Sequence, residues 1–131
     1  MNRRTLTLAF ALLFTSVFVG CSEKPESVMK ALFEAAAKGN TEEGAKHLSF
    51  AKSSSSEMAT AKKVAEVFMQ DLHEEIVAND GLERIEIIKT TVAADGNSAS
   101  VATKIHFKNN KSVSDSSRIF KEGGKWKIEF M

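Results

Sequence analysis

The chain has no tyrosine, one cysteine, one proline and one tryptophan among 131 residues. Without tyrosine there is no phenol to act as a proton donor or to stabilise an oxyanion. A single cysteine excludes any intrachain disulfide, although an oxidising compartment would permit one, so stability has to come from packing. There is no excess of charge of one sign either. The 18 basic and 17 acidic residues give +1, and nothing suggests the clustered basic surface of a nucleic-acid-binding protein. No apolar run reaches the roughly 20 residues a transmembrane helix needs. At this length one domain with one core is expected, and 43% hydrophobic with 27% charged residues is ordinary globular composition.

What the chain does have begins at its N-terminus. Met1–Arg4 carries positive charge, Leu6–Val19 is an apolar stretch of about 14 residues, and Phe18-Val19-Gly20-Cys21 places a small residue before cysteine. This reads as a signal peptide over residues 1–20. The last four residues resemble the lipobox of bacterial lipoproteins, with Phe18 where leucine is usual. That resemblance implies cleavage between Gly20 and Cys21 and acylation of Cys21, with residues 21–25 as a short lipidated tether. Three acyl chains, at about 0.8 kcal/mol per buried methylene, would hold the product on a bilayer. Ser22 in place of aspartate implies, by the same resemblance, sorting to the outer membrane, facing the periplasm. Cleavage removes Arg3 and Arg4, leaving 16 basic against 17 acidic residues, a net −1.

Residues 26–131 read as one α+β domain. Pro25 suits the first position of a helix, and Met29, Leu32, Phe33, Ala36 and Ala37 recur at helical spacing up to Gly39-Asn40. Thr41-Glu42-Glu43 starts a second, short helix to about Leu48, although Gly44 stands where a capping box would have Glu or Gln. After the serine run 53–56, Met58, Ala61, Ala65, Phe68, Leu72 and Ile76 mark a long helix stopped by Asn79-Asp80-Gly81. The period then falls to two. Residues 82–93, 98–108, 111–121 and 126–130 read as four strands joined by turns at Asp95-Gly96, Asn109-Asn110 and Gly123-Gly124. About three helices packed on a four-stranded antiparallel sheet are expected, because a sheet with one apolar face needs cover.

The run Pro25–Asn40, the helix near Ala45–Leu48, the strand start Gly96–Val101 and the ending Gly124-Lys125-Trp126-Lys127-Ile128 keep a specific order and spacing. Together, over about residues 25–130, they resemble the small bacterial lipoproteins grouped as domain of unknown function 4878, related to the nuclear-transport-factor-2-like (NTF2-like), cystatin-like fold. The resemblance implies a cone, in which a long helix packs into a curved sheet, often with a pocket at its mouth. Phe68, Leu72, Ile105, Phe107, Trp126 and Ile128 are the candidate pocket lining.

Catalytic patterns are not apparent. Enzymes of this fold commonly resemble ketosteroid isomerase, with an Asp base and a Tyr donor, and tyrosine is missing. His73-Glu74-Glu75 opens like a zinc-protease motif, but Val77 replaces the second histidine. His47, His73 and His106 fall in three different elements, so no metal is expected, and no cofactor. Asp115, on the polar third strand, reads as a solvated edge residue before a pocket acid. The expectation is a non-enzymatic envelope lipoprotein that binds an envelope protein or a small apolar ligand, with a homodimer through the sheet as a further option. A periplasmic inhibitor or immunity-type protein is the alternative, and an enzyme with a pocket acid or base ranks third.

Overall fold

A computed structural model describes residues 23–130; the leader, Gly20 and Cys21 lie outside the described residues. The first helix, α1, spans Pro25–Ala37, with Glu26 in its first turn where the helix dipole favours negative charge. Gly39 at φ 75° turns the chain, and the Asn40 amide closes the helix end by donating to the Ala35 carbonyl at 2.9 Å. Helix α2 (Thr41–Ala45) follows, then a two-residue strand β1 (Leu48–Ser49) and the long helix α3 (Met58–Ala78). Strands β2 (Leu82–Val92), β3 (Ser98–Phe107), β4 (Ser112–Glu122) and β5 (Lys125–Glu129) complete the chain. Among the described residues no helix is long and apolar enough to cross a membrane.

The helices cover one face of a five-stranded sheet of order β1-β5-β4-β3-β2. Register shifts in β2, between Leu82 and Arg84 and between Ile87 and Lys89, curve that edge. The expected four-stranded antiparallel sheet is therefore corrected to a mixed one. The second helix stops at Ala45, and Leu48–Ser49 runs parallel to Ile128–Glu129. Two residues are too few to show a period of two, and their pairing partner lies 80 positions away in the sequence, so no local pattern could announce them.

The inner face of β3 is the floor of the core: Ala99, Val101, Thr103, Ile105 and Phe107 are all buried. Helix α1 lies against it with Val28, Met29, Leu32 and Phe33, and Ala65, Met69 and Ile76 of α3 close the cluster. The long helix buries Ala61, Ala65 and Ile76 of its expected face, with Leu72 packed against the core, and departs from it at one position. Met69 is fully buried, whereas Phe68 keeps 39% of its surface and leans on Phe130, ring centroids 5.4 Å apart. Gly44 explains the place of Met69. A Cβ there would run into Met69 Cε and Sδ, so the hydrogen at position 44 is what admits the thioether between α2 and α3. The residue that spoils the capping box is the one the helix crossing requires.

Among the described residues, one buried side-chain polar group is unmatched. Thr103 is 1% exposed and its hydroxyl has no hydrogen-bond partner, between Ile87 on β2 and Asp115 on β4. Replacing it by an apolar residue of the same shape removes a desolvation penalty. Thr103→Val is expected to gain about 1 kcal/mol, raising Tm by roughly 4–8 °C in a domain of this size. Gly44→Ala is expected to do the reverse, losing about 1 kcal/mol net of the better helix propensity of alanine. Thermal melts of the two variants beside the parent check both signs.

Candidate functional site

Where α2 turns into β1 and the chain crosses to α3, the secondary structure is short and leaves space. A groove of about 720 Å³ opens there. Ala45 of α2, Leu48 of β1, Phe50 and Ala51 of the connecting loop and Met58 of α3 form its apolar floor. Its rim alternates in sign: Glu42 and Lys46 at α2, Lys62 and Glu66 one turn apart on α3, Glu122 and Lys127 from the β4–β5 hairpin. Glu122 is held by the Ser49 hydroxyl, which donates to its carboxylate, and Lys127 Nζ donates to the Lys46 carbonyl at 2.6 Å. Behind the floor Phe50 meets Phe130 edge-on at 5.9 Å. The volume falls in the range of small-molecule sites, about 300–1,000 Å³, and an apolar floor under a charge-balanced rim fits an amphipathic guest.

A second cavity, of about 340 Å³, lies on the other side of Lys46 and Lys127, bounded by Glu23, Ser27, His47, Lys125 and Trp126 among others. Of the residues expected from sequence to line a pocket, Trp126 borders this smaller cavity. Ile105, Phe107 and Ile128 are core, Leu72 is half-buried against it, and Phe68 reaches the groove only through Phe130 and Phe50. The groove's own floor went unnoticed in the sequence, because residues 48–58 read as a helix end and a serine loop. The available signal was Leu48 and Phe50, two large apolar residues in a stretch otherwise suited to solvent.

The histidines stay apart, each tying two elements. His73 Nδ1 donates to the Ala36 carbonyl at 2.7 Å, joining α3 to the last turn of α1. His106 Nε2 pairs with Glu86 at 2.8 Å across β2 and β3, and holds the Glu86 carboxyl below its ordinary range. His47 is half-buried beside β5, whose Ile128 amide donates to the His47 carbonyl at 2.8 Å. No group of three or more His, Cys, Asp or Glu side chains that could hold a metal occurs among the described residues. Asp115 is exposed and accepts from the Ser117 hydroxyl at 2.9 Å, away from both cavities.

A family model described as a domain of unknown function, DUF4878, matches residues 19–129. No curated protein matches the chain. Among solved structures, a candidate NTF2-like transpeptidase from Campylobacter jejuni superposes with a TM-score of 0.73 at 17% identity, covering 83% of this chain and 100% of that one. The intermembrane-space region of the chloroplast protein ARC6 gives 0.44 at 14% identity, over 83% and 95% of the two chains. At such identities the first likeness concerns the fold, and it agrees with the NTF2-like architecture seen here.

His47 generates a pH prediction. Burial lowers its pKa from the ordinary value of 6.5; Glu43 and Glu23 oppose the shift, while Lys127 and Lys46 add to it. Between the folded and unfolded values the unfolded chain binds more protons. This contribution is therefore complete above about pH 6.5 and is lost as pH falls through the lower, folded value. The carboxyls of Glu57, Glu86 and Glu129, held low by Ser54, His106 and Lys52 respectively, act only below about pH 4.5. Urea midpoints are expected to fall between pH 7.5 and 5 in the parent and to fall less in His47→Gln.

Proposed function

The chain belongs to the DUF4878 family, and from that footing we propose that it is a lipid-anchored lipoprotein of the bacterial envelope whose domain is a non-enzymatic binding module. The leader over residues 1–20 and the lipobox ending at Cys21 support the anchor, and Ser22 supports the outer membrane, facing the periplasm. The groove of about 720 Å³ carries the binding role. Its floor supplies apolar area, and its rim supplies three carboxylates and three ammonium groups, suited to the mixed charge of a peptide segment or a small zwitterionic amphiphile. The rim groups already tied to the fold, Glu122 and Lys127, orient a guest without having to be ordered on binding.

The inhibitor-type alternative has an observation of its own. Along β4, strand β5 pairs only with Ile119–Glu122, so the first half of β4, from Ser112, keeps an edge with no strand beside it on that side among the described residues. An extended segment of a partner could add there through main-chain hydrogen bonds.

One experiment separates the two and tests the anchor. The full-length gene is expressed with a photocrosslinking residue at Ala51, on the groove, or at Ser114, on the edge, and intact envelopes are irradiated. Crosslinked product is expected from position 51 and at most a tenth as much from 114; the reverse pattern replaces the groove by the strand edge. Ala51→Trp, which fills the groove from an exposed position, should abolish ligand capture without lowering Tm. Mass spectrometry of the purified protein should show acyl mass on Cys21, absent in Cys21→Ser, which should leave the membrane fraction.

A further inference from the structure

Trp126 is 6% exposed, and its ring nitrogen donates to the Glu23 carbonyl at 3.2 Å. The tryptophan therefore works as a peg that fastens the start of the domain to the β4–β5 hairpin, 103 positions along the chain. Cys21 is two residues before Glu23, and two extended residues span at most about 7 Å. Whatever is attached to Cys21 is held close to this end of the molecule.

That end is ringed by ammonium groups. Lys121 Nζ stands 5.2 Å from the centre of the Trp126 ring, and Lys46, Lys125 and Lys127 border the small cavity beside it. Lys24 adds a fifth, exposed, at the residue before α1. The carboxylates here are Glu23, Glu43, the latter within 3.6 Å of Lys46, and Glu122, the cross-strand partner of Lys125. Five positive against three negative charges is a local excess in a chain whose mature net charge is −1, so the remainder of the surface is net negative. Lys125 and Lys121 extend from the hairpin outside the groove.

We propose that this lysine-ringed end is a membrane-docking face, which seats the anchored domain on the anionic phosphate headgroups of the bilayer and turns the rest of its surface outward. The inference rests on the lipoprotein reading for its biological setting, though not for its test. Lysines next to a bilayer are drawn to anionic lipid within a Debye length, about 10 Å at 0.1 M salt, and the Glu23–Trp126 hydrogen bond fastens the start of the domain to the hairpin that carries Lys121 and Lys125. The charge-balanced rim of the groove is the surface with no such pull, apart from Lys46 and Lys127, which the two sites share. Docking by this end therefore orients the domain through Lys24, Lys121 and Lys125 and leaves the α3 side of the groove, at Met58, Lys62 and Glu66, open to a guest.

The test couples the mature chain, starting at Cys21, through its single thiol to a maleimide lipid in vesicles of phosphatidylcholine, with or without 30% phosphatidylglycerol. Lysines are then acetylated with a membrane-impermeant reagent and read by mass spectrometry. Labelling of Lys24, Lys121 and Lys125 is expected to fall at least threefold on the anionic vesicles at 50 mM salt and to recover at 500 mM, while Lys62, Lys63 and Lys89 stay unchanged. Lys121→Gln with Lys125→Gln should remove the protection at Lys24, and Lys62→Gln with Lys63→Gln should not. Equal labelling on the two vesicle types overturns the proposal, as does uniform protection of all lysines. Recovery on adding 10 mM inorganic phosphate in place of salt would also overturn it, by making the face a small-anion site. Absence of acyl mass on Cys21 in cells would sink the lipoprotein reading alone, and the vesicle result would still stand or fall by itself.

Discussion

Every other feature of this domain follows from the need to cover the inner face of β3. Five alternate residues of that strand, Ala99 to Phe107, point inward and cannot be left to water. Helix α1 is placed to cover them, and its position is then held from both ends. His73 grips the carbonyl of Ala36 near its last turn, and Trp126 grips Glu23 just ahead of its first. Strand β5 is short, carrying Trp126 and Ile128 to that cover, and its shortness leaves the first half of β4 paired with β3 alone among the described residues.

The groove is a by-product of the same packing. Helix α3 cannot lie over the sheet where α1 already lies, so it crosses α2 instead, with Met69 set against Gly44. The chain from Ser49 to Glu57 has to bridge from the sheet edge to the start of that helix. Between them remains a space whose floor is apolar, because core Leu48, half-buried Phe50 and half-buried Met58 line it. A site formed in this way is set by where the backbone crosses from sheet to helix, and His47, Glu86 and Glu129, whose pKa values are lowered, brace the fold outside its lining.

Two lysines divide the cavities. Lys46 and Lys127 border both the groove and the smaller cavity, and the hydrogen bond that Lys127 Nζ donates to the Lys46 carbonyl ties that ridge together.

The sequence by itself determined the helices before the strands, the three short turns between strands, the alternation of β3 and the resemblance that names the family. These are local properties, carried by caps, glycines and periods within a dozen residues. It also marked Cys21, outside the described residues, by a motif of four adjacent positions. Only tertiary structure decided that Gly44 serves a helix crossing, that Met69 and not Phe68 joins Ala65 and Ile76 in the core, that Leu48–Ser49 joins the sheet, and that the cavity floor comes from residues 45–58. Each depends on a partner tens of residues away, Met69 for Gly44 and Ile128 for Leu48, and the period of a single segment carries no information about what will lie across from it.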